Sequence, residues 1–573
     1  MKAQESDLCF YDREAVDFMS NKSKNDSGFL VQGSILAAAS IVSRIIGLLY
    51  RVPLQAIIGN VGNDYYSCAY EIYSMMLLIS SYSLPLAVSK MVSARVALGQ
   101  RRNAHRVLRC GLAIAVVTGL AGCLIVFFGA NFLTERIFKT PMSFFALRVL
   151  APTLLIVAVL GVIRGFFQGM GTMVPSAVSQ VLEQIVNAVV SVGAAYVLFK
   201  YGMRIGAVLG DAQDYGAAFG AAGGTMGTAV GAFAALVFVL FLFAAYRPRM
   251  RRAEKAEKKR GRTKDESCRS IIKIMLLTIV PVLLSTTLYN ISSIIDQGIF
   301  KNIANVQGYD SYTISNWWGI FSGKYKVLIN VPISIASAIA SACVPSLAAA
   351  YANKDKEAVR NKISSAMHFV MVIAFPCTVG YAVLAYPILR LLFADAEILA
   401  ARLLQLGAVS IIFYSISTLS NGILQGINRM IIPVRNAVIA LIAHVAFLFV
   451  LMYAFDLNIY AVVIATAFFS LLMCILNGVS VKRCSGYQLN IVKTFIKPGI
   501  ASGIMGAAVA AVYHLGYKLY ASNALWTILA ILAGIVVYFA ALIAVKGMTE
   551  EEMLGFPKGS LLVRIAKKMH LLR

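Results

Sequence analysis

Two arginines, Arg44 and Arg51, stand seven residues apart in SRIIGLLYR, within a run otherwise apolar enough to be a membrane span. An arginine near the middle of such a span costs about 2.5 to 3.5 kcal/mol on insertion scales, so it needs a polar interior to face. Seven residues make nearly two helical turns, which puts Arg51 within about 20° of the Arg44 face and roughly 10 Å further along it. Guanidinium groups stay charged and grip phosphate through paired hydrogen bonds, so this stripe suggests an anionic, phosphate-bearing ligand. Arg51 could instead snorkel to the outer interface.

A second group of cations lies in GKYKVLINVP, residues 323–332. Lys324 and Lys326 point about 160° apart on a helix, so one is expected to line a cavity and the other an interface; Lys326 with Asn330, at i and i+4, is the choice for the cavity. Lys90 and Arg164 read as interface anchors. The acidic candidates in or beside apolar segments are Asp64, Glu71, Glu183 and Asp296. Glu183 and Asp296 are each expected to serve either as counter-ion to the arginines or as the site of a coupling proton or sodium ion.

Enzyme chemistry finds no footing. There is no GxxxxGK[ST] loop and no HExxH, and the five histidines are dispersed. Neither ATP-driven pumping by this chain nor zinc chemistry is therefore expected, and no cofactor or metal; the energy source is expected to be an ion gradient (Na⁺ or H⁺), the membrane potential or substrate consumption. The nine cysteines are scattered singly without a CxxC pair, so no disulfide framework is expected.

The elements that must hold these charges are membrane helices. The 573 residues are 59% hydrophobic and 14% charged, with a mean hydropathy of +0.76. Apolar segments of membrane-spanning length recur about fourteen times. The first is expected over 29–51 and the second over 67–89, with a loop between. The net charge of +26 sits in alternate loops, as topology and not nucleic-acid binding would place it. The segment after the sixth span holds eleven Lys or Arg and reads as a solvated cytoplasmic linker. The alternation puts both termini in the cytoplasm; no cleaved signal peptide is indicated at the polar start.

Gly165-Phe-Phe-Gln-Gly and Gly422-Ile-Leu-Gln-Gly each close a span and precede a proline, 257 residues apart. An offset of six spans preserves orientation, so the halves read as parallel repeats around a central cavity. The expected organisation is a tail at 1–28, an N-lobe at 29–246, a basic linker at 247–270, a C-lobe at 271–481, two added spans within 482–546 and a tail at 547–573. Glycines of the sixth span and prolines at 85, 152, 281, 332 and 376 suit closely packed, bendable helices.

Ser43-Arg44-Ile-Ile-Gly47, then Arg51 and Gly59-Asn-Val-Gly-Asn-Asp64, resembles the opening of the MurJ lipid II flippase family and its YtgP and stage V sporulation protein B type relatives. Those belong to the multidrug/oligosaccharidyl-lipid/polysaccharide exporter superfamily. SLPLAVSK at 83–90 and GKYKVLINVP extend the likeness, which covers residues 29–546. The resemblance implies an all-α, V-shaped transporter in the bacterial cytoplasmic membrane that turns over an undecaprenyl-pyrophosphate-linked precursor by alternating access. It implies that Arg44 and, by position, Arg51 hold the pyrophosphate, with Asp64 as a matching acidic residue and Lys324 or Lys326 as the span-eight cation; the reading of the residues themselves adds Ser43 and Asn330 beside the ligand and Glu71, Glu183 and Asp296 as counter-ions or coupling sites. The lipid tail is expected near the last two spans. Partners would be the lipid-linked oligosaccharide, membrane lipids and cell-wall synthesis enzymes, with the chain a monomer. Two departures stand out: the arginines are seven residues apart and not six, and the place of a span-two arginine, near Leu77, is apolar. The rivals are a cation-coupled multidrug exporter of the same superfamily and a membrane scaffold for cell-wall or sporulation enzymes.

Overall fold

The computed structural model describes residues 35–548 except 37, 82, 261–264, 395 and 396, together with residue 564. The expected N-terminal tail, the start of the first span and nearly all of the basic C-terminal tail lie outside the described residues.

Among those residues the chain is helical, without strands. The first lobe comprises α1 (Ala38–Leu49), α2 (Arg51–Ser80), α3 (Leu84–Ala97), α4 (Arg101–Asn131), α5 (Phe144–Gly169), α6 (Val174–Leu209) and α7 (Ala212–Arg260). The second comprises α8 (Cys268–Val306), α9 (Ser311–Ile320), α10 (Lys326–Ala352), α11 (Lys356–Phe393), α12 (Ile398–Gly407), α13 (Ser410–Gly426), α14 (Ile431–Tyr453) and α15 (Asn458–Ser485), followed by α16 (Lys497–Leu519) and α17 (Asn523–Ala544). Ten described helices are long and apolar enough to cross a membrane, or eleven when α12 and α13, bent by 46°, are taken as one span. That is fewer than the fourteen expected. The remaining expected spans fall on α1, on α8 and on α9 with α10.

The expected loop after the first span is absent. α1 runs into α2 through Tyr50, whose backbone is helical and whose hydrogen bonds to Ile46 and Leu54 continue the ladder. The helix ends only at Gly59, at φ 69° and ψ −173°, a conformation open to glycine because it has no Cβ to clash. Beyond it the chain doubles back, so Leu54 faces Tyr66 and Arg51 faces Tyr70 around one chamber. A polar stretch, GNVGND, thus became a one-residue hinge inside a helical hairpin. Pro85, expected inside a span, instead starts α3, where its missing N–H has no partner to lose.

The internal repeat is carried by matching helix caps. After α5, Gly171 adopts φ +86°; after α13, Asn428 adopts φ +60°. Thr172 N–H donates to Phe167 O at 3.1 Å, and Arg429 N–H to Leu424 O at 2.8 Å. Both are the six-residue closure of a left-handed helix cap, which glycine and asparagine tolerate.

Small residues set the helix spacing around the first lobe. A Cβ on Gly223, Gly227 or Gly231 of α7 would stand 2.5–2.6 Å from the carbonyl oxygen of Ala194, Asn187 or Glu183 of α6. This close contact holds α6 and its polar side chains against the lobe. α16 and α17 pack on α11, with Tyr538 O–H donating to Val372 O at 2.6 Å.

Candidate functional site

A cavity of about 490 Å³ lies between the lobes, walled by α1, α2, α5, α6, α7 and α10. Arg44 and Arg51 both line it, because the unbroken helix through Tyr50 keeps them in phase. Arg44 donates to Ser334 O of α10 at 3.1 Å, which crosses from one lobe to the other. Arg51 lies at the junction with a second chamber of about 190 Å³, beside Tyr66, Tyr70, Lys326 and Asn330. That position is interior, so Arg51 does not snorkel to the outer surface. Ser43 also lines the cavity, with its hydroxyl donating to Gln180 O at 3.4 Å.

The charge balance follows from the pairings. Glu183 reaches the cavity, yet its partner is Arg164, at 2.9 Å. Arg164 is therefore a cavity-wall partner and not an interface anchor. Glu71 is held by Lys326, at 2.6 Å, across the lobes, and it also accepts a hydrogen bond from Ser293 at 2.9 Å. Among the described residues, Arg44 and Arg51 have no carboxylate partner. After these pairs cancel, the two guanidinium groups leave the cavity with a net positive charge.

Two sequence expectations need correcting. Lys324 lies neither in the cavity nor at a lipid interface. A π-helical turn over 321–325 shifts the helix phase, and Lys324 is buried 3.9 Å from Glu397. Asp64 is not a cavity residue either. It is fully buried, with both carboxylate oxygens on Lys301 Nζ at 2.6 and 2.7 Å, and that ammonium also donates to Thr140 at 2.5 Å. Asp64 pins α2 to α8.

Asp296 is also paired, with its oxygen 2.5 Å from Nε2 of His444, whose Nδ1 is 2.9 Å from Ala465 O. The carbonyl can only accept, so Nδ1 carries a hydrogen. One further proton then lies between Nε2 and the carboxylate, leaving a buried pair that is electrically neutral. It sits between α8, α14 and α15, outside the cavity.

Toward the Gly59 end the lobes are sealed. Asn60 donates to Asn316 at 2.8 Å and to Glu397 at 2.7 Å, and Asn63 donates to Ser322 at 2.9 Å. Gly319 and Gly323 permit this contact. A Cβ on Gly319 would collide with Asn60 O, and one on Gly323 would collide with Gln55 Oε1.

The basic linker is docked at its end. Glu266 pairs with Arg95 at 2.5 Å, and Asp265 pairs with Arg106 at 2.6 Å and Arg102 at 2.7 Å. Two acidic residues at its end thus anchor the linker to the cations of α3 and α4.

Sequence reasoning passed over Lys301, His444 and the residues Gln180, Gln184 and Asn187 that form a polar stripe with Glu183 on α6. The stripe had a signal: polar residues at i, i+3, i+4 and i+7 in an otherwise apolar segment. Lys301 and His444 had none, since each is explained only by a carboxylate on another helix.

The sequence pattern of polysaccharide biosynthesis proteins matches residues 30–351. The chain belongs to that family. The MatE pattern matches residues 327–450 in addition. The lipid II flippase MurJ of Bacillus subtilis (strain 168) is 25% identical over 508 residues, spanning 86% of this chain and 90% of the relative. The stage V sporulation protein B of the same organism is 22% identical over 539 residues, 94% of this chain and 99% of the relative. The fold is that of a solved MurJ in an inward closed conformation (TM-score 0.59, 16% identity, 88% of this chain and 97% of that one). It is shared equally with an inward-facing multidrug resistance MATE transporter of the MOP superfamily (TM-score 0.60, 16% identity, 76% and 94%). The chain is thus a helical membrane protein of the polysaccharide biosynthesis family with the fold shared by MurJ and MATE transporters.

Proposed function

We propose that the protein carries a lipid-linked, pyrophosphate-bearing cell-wall or polysaccharide precursor across the cytoplasmic membrane by alternating access, with lipid II or a related undecaprenyl-linked intermediate as substrate. The observation that carries this reading is the pair of guanidinium groups, Arg44 and Arg51, left without carboxylates in the cavity between the lobes. A pyrophosphate supplies the missing negative charge and the bidentate acceptors those groups need. Asn330 and Ser43 offer neutral contacts nearby. Lys326, now held by Glu71, is a third cation that a bound headgroup can recruit. With the Gly59 end sealed and taken as outward, the described state would receive substrate from the cytoplasmic side and release it once the Asn60 and Asn63 contacts part.

The coupling group in this reading is the Asp296–His444 pair, and the ion is a proton. Losing it would leave an uncompensated carboxylate at apolar depth, which favours reprotonation or helix movement. The chain acts as a transporter and not an enzyme.

The multidrug-exporter reading meets the same cavity with the wrong sign, since a net positive wall repels cationic drugs. The decisive experiment depletes the native flippase of a bacterium and supplies this protein or its Arg44→Ala and Arg51→Ala forms while surface-exposed lipid II is assayed. Rescue by the parent, with at least tenfold less exposed lipid II for Arg44→Ala, is expected. Equal rescue by parent and variants would overturn the arginine assignment, and rescue by none would exclude lipid II.

A further inference from the structure

Away from the cavity, α8 belongs to the cores of both lobes. Ile271 and Met275 of its first half are fully buried in a cluster with Val107 of α4 and Phe166 of α5. Phe300 of its second half is buried in the core of the second lobe, stacked on Trp318. That far end is also pinned to α2 of the first lobe through Lys301 and Asp64. At the near end the first residue of the helix is Cys268, which is exposed. Its sulfur lies 2.7 Å from that of Cys110, buried on α4. The approach is held by the backbone just ahead of it: Glu266 N–H donates to Asn103 at 3.2 Å and Arg106 donates to Glu266 O at 2.7 Å. Arg106 stands one turn before Cys110 on the same face of α4.

We propose that Cys110 and Cys268 are a site of reversible oxidation by peroxides, and that the resulting disulfide clamps α8 to the first lobe. A bond of about 2.05 Å needs the two sulfurs to close by well under an ångström. The exposed Cys268 meets the oxidant. Its thiolate attacks hydrogen peroxide, the O–O bond breaks, and the departing hydroxide takes up the thiol proton as water, leaving a sulfenic acid. The Cys110 sulfur then attacks the sulfenic sulfur; the S–S bond forms and the displaced hydroxide leaves with the Cys110 proton as a second water. The two thiols lose two electrons and one peroxide gains them. A dithiol reductant reverses the bond by exchange. With the basic linker taken as cytoplasmic, the thiols lie in a compartment that keeps them reduced, so the bond marks oxidative conditions and not the resting state. Its mechanical effect follows from the length of α8, since Cys268 and Lys301 are separated by about 50 Å of helix. In the reduced protein the near end is held by apolar contacts, which are non-directional and let it tilt, and by partly exposed ion pairs, which contribute little. Once oxidised, α8 is fixed to the first lobe at both ends, to α2 at Asp64 and to α4 at Cys110. The second lobe, whose core includes the same helix, then loses its freedom to rock, and the arrangement sealed at the Gly59 end is retained. The bond is independent of what the chain carries; only its effect on transport rests on the proposed function.

The test treats the full chain in nanodiscs with hydrogen peroxide, caps the remaining thiols and analyses proteolytic fragments by mass spectrometry. Fragments joined through Cys110 and Cys268 are expected in the parent and in neither Cys110→Ser nor Cys268→Ser; the latter alters an exposed side chain and so leaves the fold intact. Hydrogen–deuterium exchange, which needs no substrate, measures the clamp. Backbone amides of the seal at 60–63 and 316–323 should exchange at least tenfold more slowly in the oxidised parent, recover on addition of dithiothreitol and stay unchanged in both variants. Transfer of lipid II in proteoliposomes should fall at least tenfold on oxidation of the parent and not of Cys268→Ser. Absence of the joined fragments would overturn the site, and joined fragments with unchanged exchange or undiminished transfer would overturn the clamp. Slowed exchange in a parent that moves no lipid II even when reduced would uphold the clamp and overturn the proposed function alone.

Discussion

Replacing Asp64 by asparagine should destabilise the protein far more than any loss at the cavity arginines. Lys301 is 1% exposed and Asp64 0%, and the ammonium binds both carboxylate oxygens. The amide of the Asp64→Asn variant would keep an acceptor but leave a full positive charge sealed among α2, α8 and the Thr140 turn. Breaking one partner of such a pair costs about 3–5 kcal/mol, because the remaining ion keeps its desolvation penalty without its attraction. Removing both charges is a different perturbation. Asp64→Leu with Lys301→Met leaves no buried ion, and such replacements range from neutral to stabilising by about 1–4 kcal/mol. The assay is reversible unfolding in mixed micelles across a denaturing-detergent titration, comparing the parent, both single variants and the pair. The expected result is a double variant closer to the parent than either single one. A single Asp64→Asn variant as stable as the parent, or a double variant worse than both singles, would refute the reasoning.

Three further outcomes are expected. Gly319→Val places side-chain atoms where Asn60 O now lies, so the lobes must part there; a cysteine at Asn316 should react severalfold faster with an impermeant maleimide than in the Gly319 parent, and an unchanged rate would contradict the seal. Asp296→Asn and His444→Phe each remove the shared proton, so transport should become slower and insensitive to a protonophore; variants inhibited by the protonophore as fully as the parent would dismiss the pair as the coupling site. Cys110 and Cys268 lie with sulfurs 2.7 Å apart, so mild copper-catalysed oxidation should join them and retain a linked pair after proteolysis between α4 and α8, whereas absence of the link would contradict the docking of the linker's end against α4.

The cavity pairings explain why some polar membrane residues suit ligand binding and others do not. Arg44, Arg51, Glu71 and Asp64 look alike in a hydropathy profile, as charged residues in or beside apolar segments. In three dimensions Asp64 is consumed by Lys301 and Glu71 by Lys326, and only the arginines keep unanswered charge facing a cavity. The separation of pinned from unanswered charge also bears on mechanism. Pins such as Asp64–Lys301 hold helices together, while the Glu71–Lys326 contact crosses the lobes where a ligand can compete for it.

The sequence by itself determined what depends on short-range physics. Apolar runs of spanning length demand helices that satisfy their own backbone in lipid. The seven-residue spacing fixes Arg44 and Arg51 on one face because the helical period is local. The GxxQG repeat, with Gly171 and its counterpart Asn428, encodes the same helix ending twice because left-handed caps depend on a few neighbouring residues. The tertiary structure alone decided which charges cancel. Asp64 meets Lys301 across 237 positions and Lys326 meets Glu71 across 255, and no local rule selects those partners. It also turned GNVGND into the one-residue hinge at Gly59 and drew Lys324 into the seal through a π turn. A charge buried in a membrane protein is tolerated only where a partner on another helix, or a bound ligand, answers it, and which helices touch is a property of the whole fold.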